Sequence, residues 1–122
     1  APSLLARLGG RHLGWPDVYA PHEFHERGLP SRALPFRNHP CVVPNWDNTP
    51  RVGARGFVFA GATPATFAPL MRRAVASVQS QPPDERLVFV KSWNEWAEGN
   101  HLEPDRRFGR GWLEAVRAAV AD

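Results

Sequence analysis

Cysteine and lysine are nearly absent: Cys41 is the single cysteine and Lys91 the single lysine in 122 residues. One cysteine excludes an intrachain disulfide and points to a reducing compartment, so a cytoplasmic location is the expectation. No apolar run approaches the roughly 18 residues that a membrane-spanning helix needs, which excludes a span. The opening APSLLARLGG has neither a basic n-region nor a long apolar core, so no signal peptide reads there. It also lacks an initiating Met, and the expectation is a processed, trimmed or fragmentary chain. Any excess of one charge over the other is small too. The formal net charge is +3, the arginines are scattered, and neither Arg72-Arg73 nor Arg106-Arg107 forms a basic block, so nucleic acid is not an expected partner. Disorder is excluded by 43% hydrophobic and 22% charged residues, and the length allows one domain with a modest core.

Proline is plentiful where structure is hardest to read. Within residues 1–40, the stretch 11–40 carries prolines at 16, 21, 30, 35 and 40, a density that blocks long helices and central strands. The segment reads as an irregular Pro-rich loop with at most one short helix, and SLLARL offers one or two helical turns at its start. Order is expected from CVVP, 41–44, a short buried strand that includes Cys41. A polar loop, NWDNTPRVGARG, precedes a brief extended FVF at 57–59. Thr63 is placed to cap a helix with Pro64 at its first position, and Phe67, Leu70, Met71, Ala74, Val75 and Val78 recur on one face. QPPDE ends it. LVFVKS, 87–92, is the second strand. A last helix runs from about Gly109 to Ala121 with Trp112, Val116, Ala119 and Val120 along one face.

Strand, crossover helix, strand and helix imply parallel strands, and continuously apolar strands imply a sheet buried on both faces. The fold class is therefore α/β. In such folds ligands gather at the carboxyl ends of the strands. The segments leaving those ends are NWDNTPR and WNEWAEGNHLEPD, so Trp46, Asp47, Asn48 and Arg51 are expected to converge on Trp93, Asn94, Glu95, Trp96, Glu98 and His101. Aromatic rings and short polar side chains suit a sugar's apolar faces and hydroxyl edges. Paired carboxylates suit a glycosidic bond, one donating a proton and the other acting as base or nucleophile. Glu95 and Glu98, three residues apart, can point to one side of a helical turn or tight bend.

WDNTPR at 46–51, SWNEWAEGNHLEPD at 92–105 and GWLEAVRAAV at 111–120 together resemble the WbsX family. Its members are carbohydrate-active proteins from bacterial cell-surface polysaccharide loci, often labelled glycosyltransferases. They are related to glycoside hydrolase family 99, the endo-α-mannosidase and endo-mannanase group with a (β/α)8 barrel. The resemblance covers about residues 41–120 and implies action on cell-surface polysaccharide or lipopolysaccharide glycans. It implies that Glu95 assists through the sugar 2-hydroxyl by a neighbouring-group route and that Glu98 is the general acid/base. The hydrolases typically have His where this chain has Ala97, and Thr-Gln where it has Asn100-His101. These departures follow the WbsX pattern and leave hydrolysis or transfer open. A (β/α)8 barrel needs about 200–250 residues, so residues 41–122 are expected to be its last two or three β/α units, a C-terminal fragment whose partner is the missing N-terminal barrel portion.

Plainer roles stand beside these. Asp47 in WDNTP either caps a turn or binds substrate. Arg51 binds an anionic group or pairs with Asp47. Of Trp93 and Trp96, one is expected to pack inward and the other to line the cleft. Glu103 reads as a structural partner, and His101 as a possible substrate contact. HEFHE, 22–26, is similar to metalloprotease motifs but spaces its second His at i+3, so no metal site is read there. No cofactor is expected. The alternative to a glycosidase or transferase is a non-catalytic carbohydrate-binding or scaffolding fragment of such an enzyme.

Overall fold

The computed structural model describes residues 14–28 and 35–121. The SLLARL segment lies outside them. The protein is mixed α/β, built from short parallel strand pairs and helices. In chain order the elements are β1 (Asp17–Tyr19), α1 (Pro21–Gly28), β2 (Cys41–Val42), α2 (Thr49–Val52), β3 (Phe57–Phe59), α3 (Pro64–Val78), β4 (Phe89–Val90), β5 (Asn94–Glu95), β6 (Asn100–His101) and α4 (Gly111–Ala121). Strand β1 pairs parallel with β3, β2 pairs parallel with β4, and β5 pairs antiparallel with β6. Among the described residues the sheets are three separate two-stranded ribbons, with no closed barrel.

The long helices follow from their sequence. Thr63 caps α3 by accepting from the Thr66 amide at 3.1 Å, and the Thr66 hydroxyl answers by accepting from the Thr63 amide at 2.9 Å. This reciprocal box satisfies two donors that a helix start would otherwise leave open. Phe67, Leu70, Met71, Ala74 and Val78 are buried, the face that the periodicity predicts. Helix α3 packs along α4, and its Phe67 meets the buried Trp112 edge-on at 5.8 Å. Val42 of β2 joins this core, and Val88 and Val90 pack against it.

Several expectations need correction. Residues 14–28 hold a strand, β1, besides the short helix, because Pro16 precedes the strand and Pro21 takes the first position of α1, both tolerated places. The β2–β4 ribbon is covered on one face only: Leu87 and Phe89 are 49% and 56% exposed, whereas Val88 and Val90 face the helices. Cys41 is exposed for the same reason, since alternation along β2 turns Val42 inward and Cys41 outward. Helix α4 starts at Gly111, because Gly109 has φ +55, which an α-helix does not accommodate. Ala115 takes an inward position on it, while Val120 faces solvent. No described helix is long and apolar enough to cross a membrane.

Candidate functional site

The parallel β2–β4 pair sends both polar loops out from the same end of its strands. They are tied together at once: the Asp47 amide donates to the Glu98 carbonyl at 2.8 Å, and the His101 amide donates to Asn45 Oδ1 at 3.0 Å. The close approach depends on Gly99, which has φ +56 and would bring a Cβ to 3.1 Å from Asp47. Asn48 Oδ1 accepts from the Phe57 amide at 2.9 Å and anchors the first loop to β3. His25, buried on α1, lies 3.0 Å from the Val43 carbonyl just upstream, so HEFHE serves as a brace under this loop. Burial holds the His25 pKa below its usual value, with Arg73 adding to the shift and the Val43 bond opposing it.

Asp47 makes the turn that WDNTP suggests: its Oδ1 accepts from the Thr49 amide at 3.0 Å and from the Thr49 hydroxyl at 2.6 Å. Arg51 does not pair with Asp47. Its Nη1 donates to Glu98 Oε1 at 3.1 Å, because Asp47 is folded back on Thr49 while Glu98 faces across the loop junction. Lys91 Nζ donates to Glu98 Oε2 at 3.3 Å, so each Glu98 oxygen meets one cation. The same ammonium sits 4.8 Å from the centre of the Trp46 ring, a cation–π distance. Trp46 stacks in turn on Phe57, with centroids 5.1 Å apart and planes 2° apart. The Trp46 ring is thus already engaged.

The second loop opens with a cis Lys91–Ser92 peptide. Buried Asn100 pins it, accepting from the Ser92 amide at 2.6 Å through Oδ1 and from the Ser92 hydroxyl at 3.0 Å through its carbonyl. Ser92 Oγ accepts from the Glu95 amide at 3.2 Å and starts the turn that carries Trp96 to Glu98. Glu95 is half-buried, and its carboxylate has no hydrogen bond or ion pair among the described residues. Asn94 is exposed and pairs with His101 across β5–β6. Neither Trp93 nor Trp96 packs inward: they are 53% and 49% exposed, since the short β5–β6 ribbon has no covering layer on that side.

Trp96 is nevertheless ordered. Its ring stacks on His101, and its Nε1 donates to Glu103 Oε2 at 2.7 Å. His101 is buried, with Nε2 3.1 Å from Asp105 Oδ2. The same Oδ2 accepts from Trp112 Nε1 at 2.9 Å, while Oδ1 accepts from the Arg107 and Phe108 amides at 2.8 and 2.6 Å. Partial burial alone pushes the Asp105 carboxyl upward. These hydrogen bonds, the Phe108 amide first, outweigh it and hold the pKa below its ordinary value.

Sequence reasoning places Trp46, Asp47, Arg51, Trp96, Glu98 and His101 in the two loops, and the structure joins those loops. It passes over Lys91, Ser92, Asn100 and Asp105. A signal existed for one of them: Lys91 is the sole lysine and follows a strand. Among the described residues, no three His, Cys, Asp or Glu side chains gather as a metal ion would require.

Comparison with known proteins adds a family. The model of the family described as Glycosyltransferase WbsX matches residues 14–116. Two curated relatives, each named Uncharacterized protein WxcX, are similar. One, from Xanthomonas campestris pv. campestris strain ATCC 33913, is 42% identical over 127 residues, and the other, from strain B100, is 42% identical over 124 residues. Each alignment covers 98% of this chain and 17% of the relative, so the chain spans about a sixth of the length of the curated relatives it matches. No solved structure matches.

Proposed function

The chain belongs to the Glycosyltransferase WbsX family, and from that premise we propose that it forms part of a carbohydrate-active enzyme that cleaves or transfers glycosyl units on cell-surface polysaccharide or lipopolysaccharide. The reading assigns chemistry to Glu95 and Glu98, with Glu95 acting at the anomeric carbon through the sugar 2-hydroxyl and Glu98 exchanging the proton with the departing or attacking oxygen. Arg51, Trp93, Asn94 and Trp96 line the sugar, His101 backs Trp96 from beneath, and Trp46 and Asp47 shape the wall behind Glu98. The β2–β4 pair, with α3 and α4, then serves as the last β/α units of a (β/α)8 barrel completed by other residues of a longer polypeptide. The cytoplasm is the proposed location.

The observation that carries this reading is the 2.8 Å bond from the Asp47 amide to the Glu98 carbonyl, which supports one site built from both motif loops. The test is binding of bacterial surface glycans, read by intrinsic tryptophan fluorescence. Saturable quenching that disappears in Trp96→Ala supports the reading, and no response to any glycan would remove it.

A second reading, a non-catalytic carbohydrate-binding or scaffolding fragment, is favoured by one specific observation. Both Glu98 oxygens are taken by Arg51 and Lys91, as a purely structural carboxylate's would be. Turnover measurements on Glu98 variants separate the two.

A further inference from the structure

We propose that Asp105 and His101 are positioning residues for a sugar-stacking platform on Trp96, an inference that rests on the carbohydrate reading above. Trp112 is in the core, and Trp46 is packed on Phe57 and under Lys91. Trp15 and Trp93 are exposed, but neither indole has a ring partner or hydrogen bond among the described residues. Trp96 differs from all of these. One face lies on His101 at 3.7 Å and 15°, its edge is fixed by the bond to Glu103, and about half of the residue is exposed. The exposure therefore belongs to the opposite face. That is a flat apolar surface with its rotation already fixed, next in sequence to Glu95 and in the same short turn as Glu98.

What fixes the backing ring is Asp105. An ionised carboxylate has about four lone-pair positions, and all are used: two by backbone amides, one by the buried Trp112 indole and one by His101. Because the carboxylate only accepts, His101 presents Nε2–H to it, which sets the tautomer and the ring plane. Asp105 has no capacity left for a substrate, and its side chain is only 11% exposed. It acts through His101. A chain of contacts runs from the core to the open indole: Trp112 to Asp105, Asp105 to His101, His101 to Trp96. A platform held in this way binds without first freezing its own rotamers, which is where preorganisation gains affinity.

The test measures glycan affinity, thermal melting and the Trp96 indole ¹H–¹⁵N resonance together, using an array of bacterial surface polysaccharide fragments followed by fluorescence titration. Four variants are compared with wild type. Trp96→Ala should abolish binding. His101→Ala removes the backing ring and should weaken binding about tenfold, the scale of losing an ordered aromatic anchor. Asp105→Asn can still accept the two loop amides through Oδ1 but no longer accepts from Trp112 and His101. His101→Phe keeps the stack and the Asp105–Trp112 bond but cuts the link to Asp105, so it remains informative even if Asp105→Asn folds poorly. Both should move the Trp96 indole resonance and weaken binding, and the double variant should be no weaker than the worse single, because one link is lost in each. A merely structural role would lower melting without changing affinity or the indole signal. Loss in Trp96→Ala with wild-type affinity in His101→Ala, His101→Phe and Asp105→Asn would overturn the positioning role and leave the platform standing. Wild-type affinity in Trp96→Ala would overturn the platform and this inference with it. If wild type binds no glycan, the carbohydrate reading falls as well.

Discussion

Asp105 and Trp112 are joined by a 2.9 Å hydrogen bond from the indole Nε1 to Oδ2, and that bond roots an exposed loop in the core. Trp112 is 1% exposed, in edge contact with Phe67 and Phe108, so its indole proton has no solvent to turn to. The partner it found lies seven residues upstream, in the same loop that carries Glu95 and Glu98.

Asp105→Asn should therefore destabilise the fold by about 1–3 kcal/mol, the range for leaving a buried donor without its acceptor. Trp112→Phe removes donor and demand together and should cost less in hydrogen bonding, although it also loses ring volume. The comparison is made by urea midpoints at constant slope. An Asp105→Asn variant as stable as wild type would mean that the indole bond contributes nothing.

Acid should weaken the protein in two stages. His25 has a lowered folded pKa, so the unfolded chain takes up its proton first. Its stability contribution is complete above the usual histidine value of about 6.5 and is lost as pH falls through the folded value. Asp105, also lowered, keeps its contribution above the ordinary aspartate value and loses it only at still lower pH, as the folded value is crossed. Urea unfolding at pH 7.5 and 5.5 should show lower stability at 5.5. His25→Gln, which can still donate to the Val43 carbonyl, should flatten that difference.

Gly99→Ala should cost about 1–2 kcal/mol from left-handed backbone strain alone, and the added Cβ would press on Asp47. The specific sign is hydrogen exchange. The Asp47 amide, bonded to the Glu98 carbonyl, should lose protection while the α3 amides keep theirs. Unchanged Asp47 protection would show that the loop junction does not need glycine.

The Arg51–Glu98–Lys91 cluster should matter little for stability. The cations are 55% and 45% exposed, and such pairs contribute roughly 0–1 kcal/mol. Arg51→Gln and Lys91→Gln should each shift urea midpoints slightly, with smaller shifts at high salt. A large, salt-independent loss would mean that the cluster is more deeply shielded than its exposure indicates.

The parts legible in the sequence were those governed by local rules. The Thr63–Pro64 helix start, the apolar face of α3, the FVF strand and the Asp47 turn each depend on residues close in the chain, and each is present. The parallel pairing of 41–42 with 89–90 followed from the order of elements. What was not legible depends on the layer beyond a strand or on partners far along the chain. Cys41 and Phe89 read as buried because apolar runs suggest two covered faces, yet one face of this ribbon is open. Arg51 finds Glu98 across 47 residues, a pairing that no spacing rule supplies. Asp105 is passed over in the sequence, because its importance comes from convergence on Trp112 and His101 in three dimensions.

The central claim is that Glu95 and Glu98 work as a pair on a glycosidic bond. The most direct measurement is turnover of a polysaccharide substrate and of an activated aryl glycoside by wild type, Glu95→Gln, Glu98→Gln and the double variant, with thermal melts alongside. Glu98→Gln should lose the substrate with a poor leaving group and largely spare the first step on the activated one, which needs little protonation. Glu95→Gln should lose both, and the double variant should be no worse than the more damaged single, because both groups act on one event. Melting should be close to wild type throughout, since neither side chain is part of the core. Near wild-type rates for both single variants on both substrates would contradict the account and leave the binding or scaffolding reading in its place.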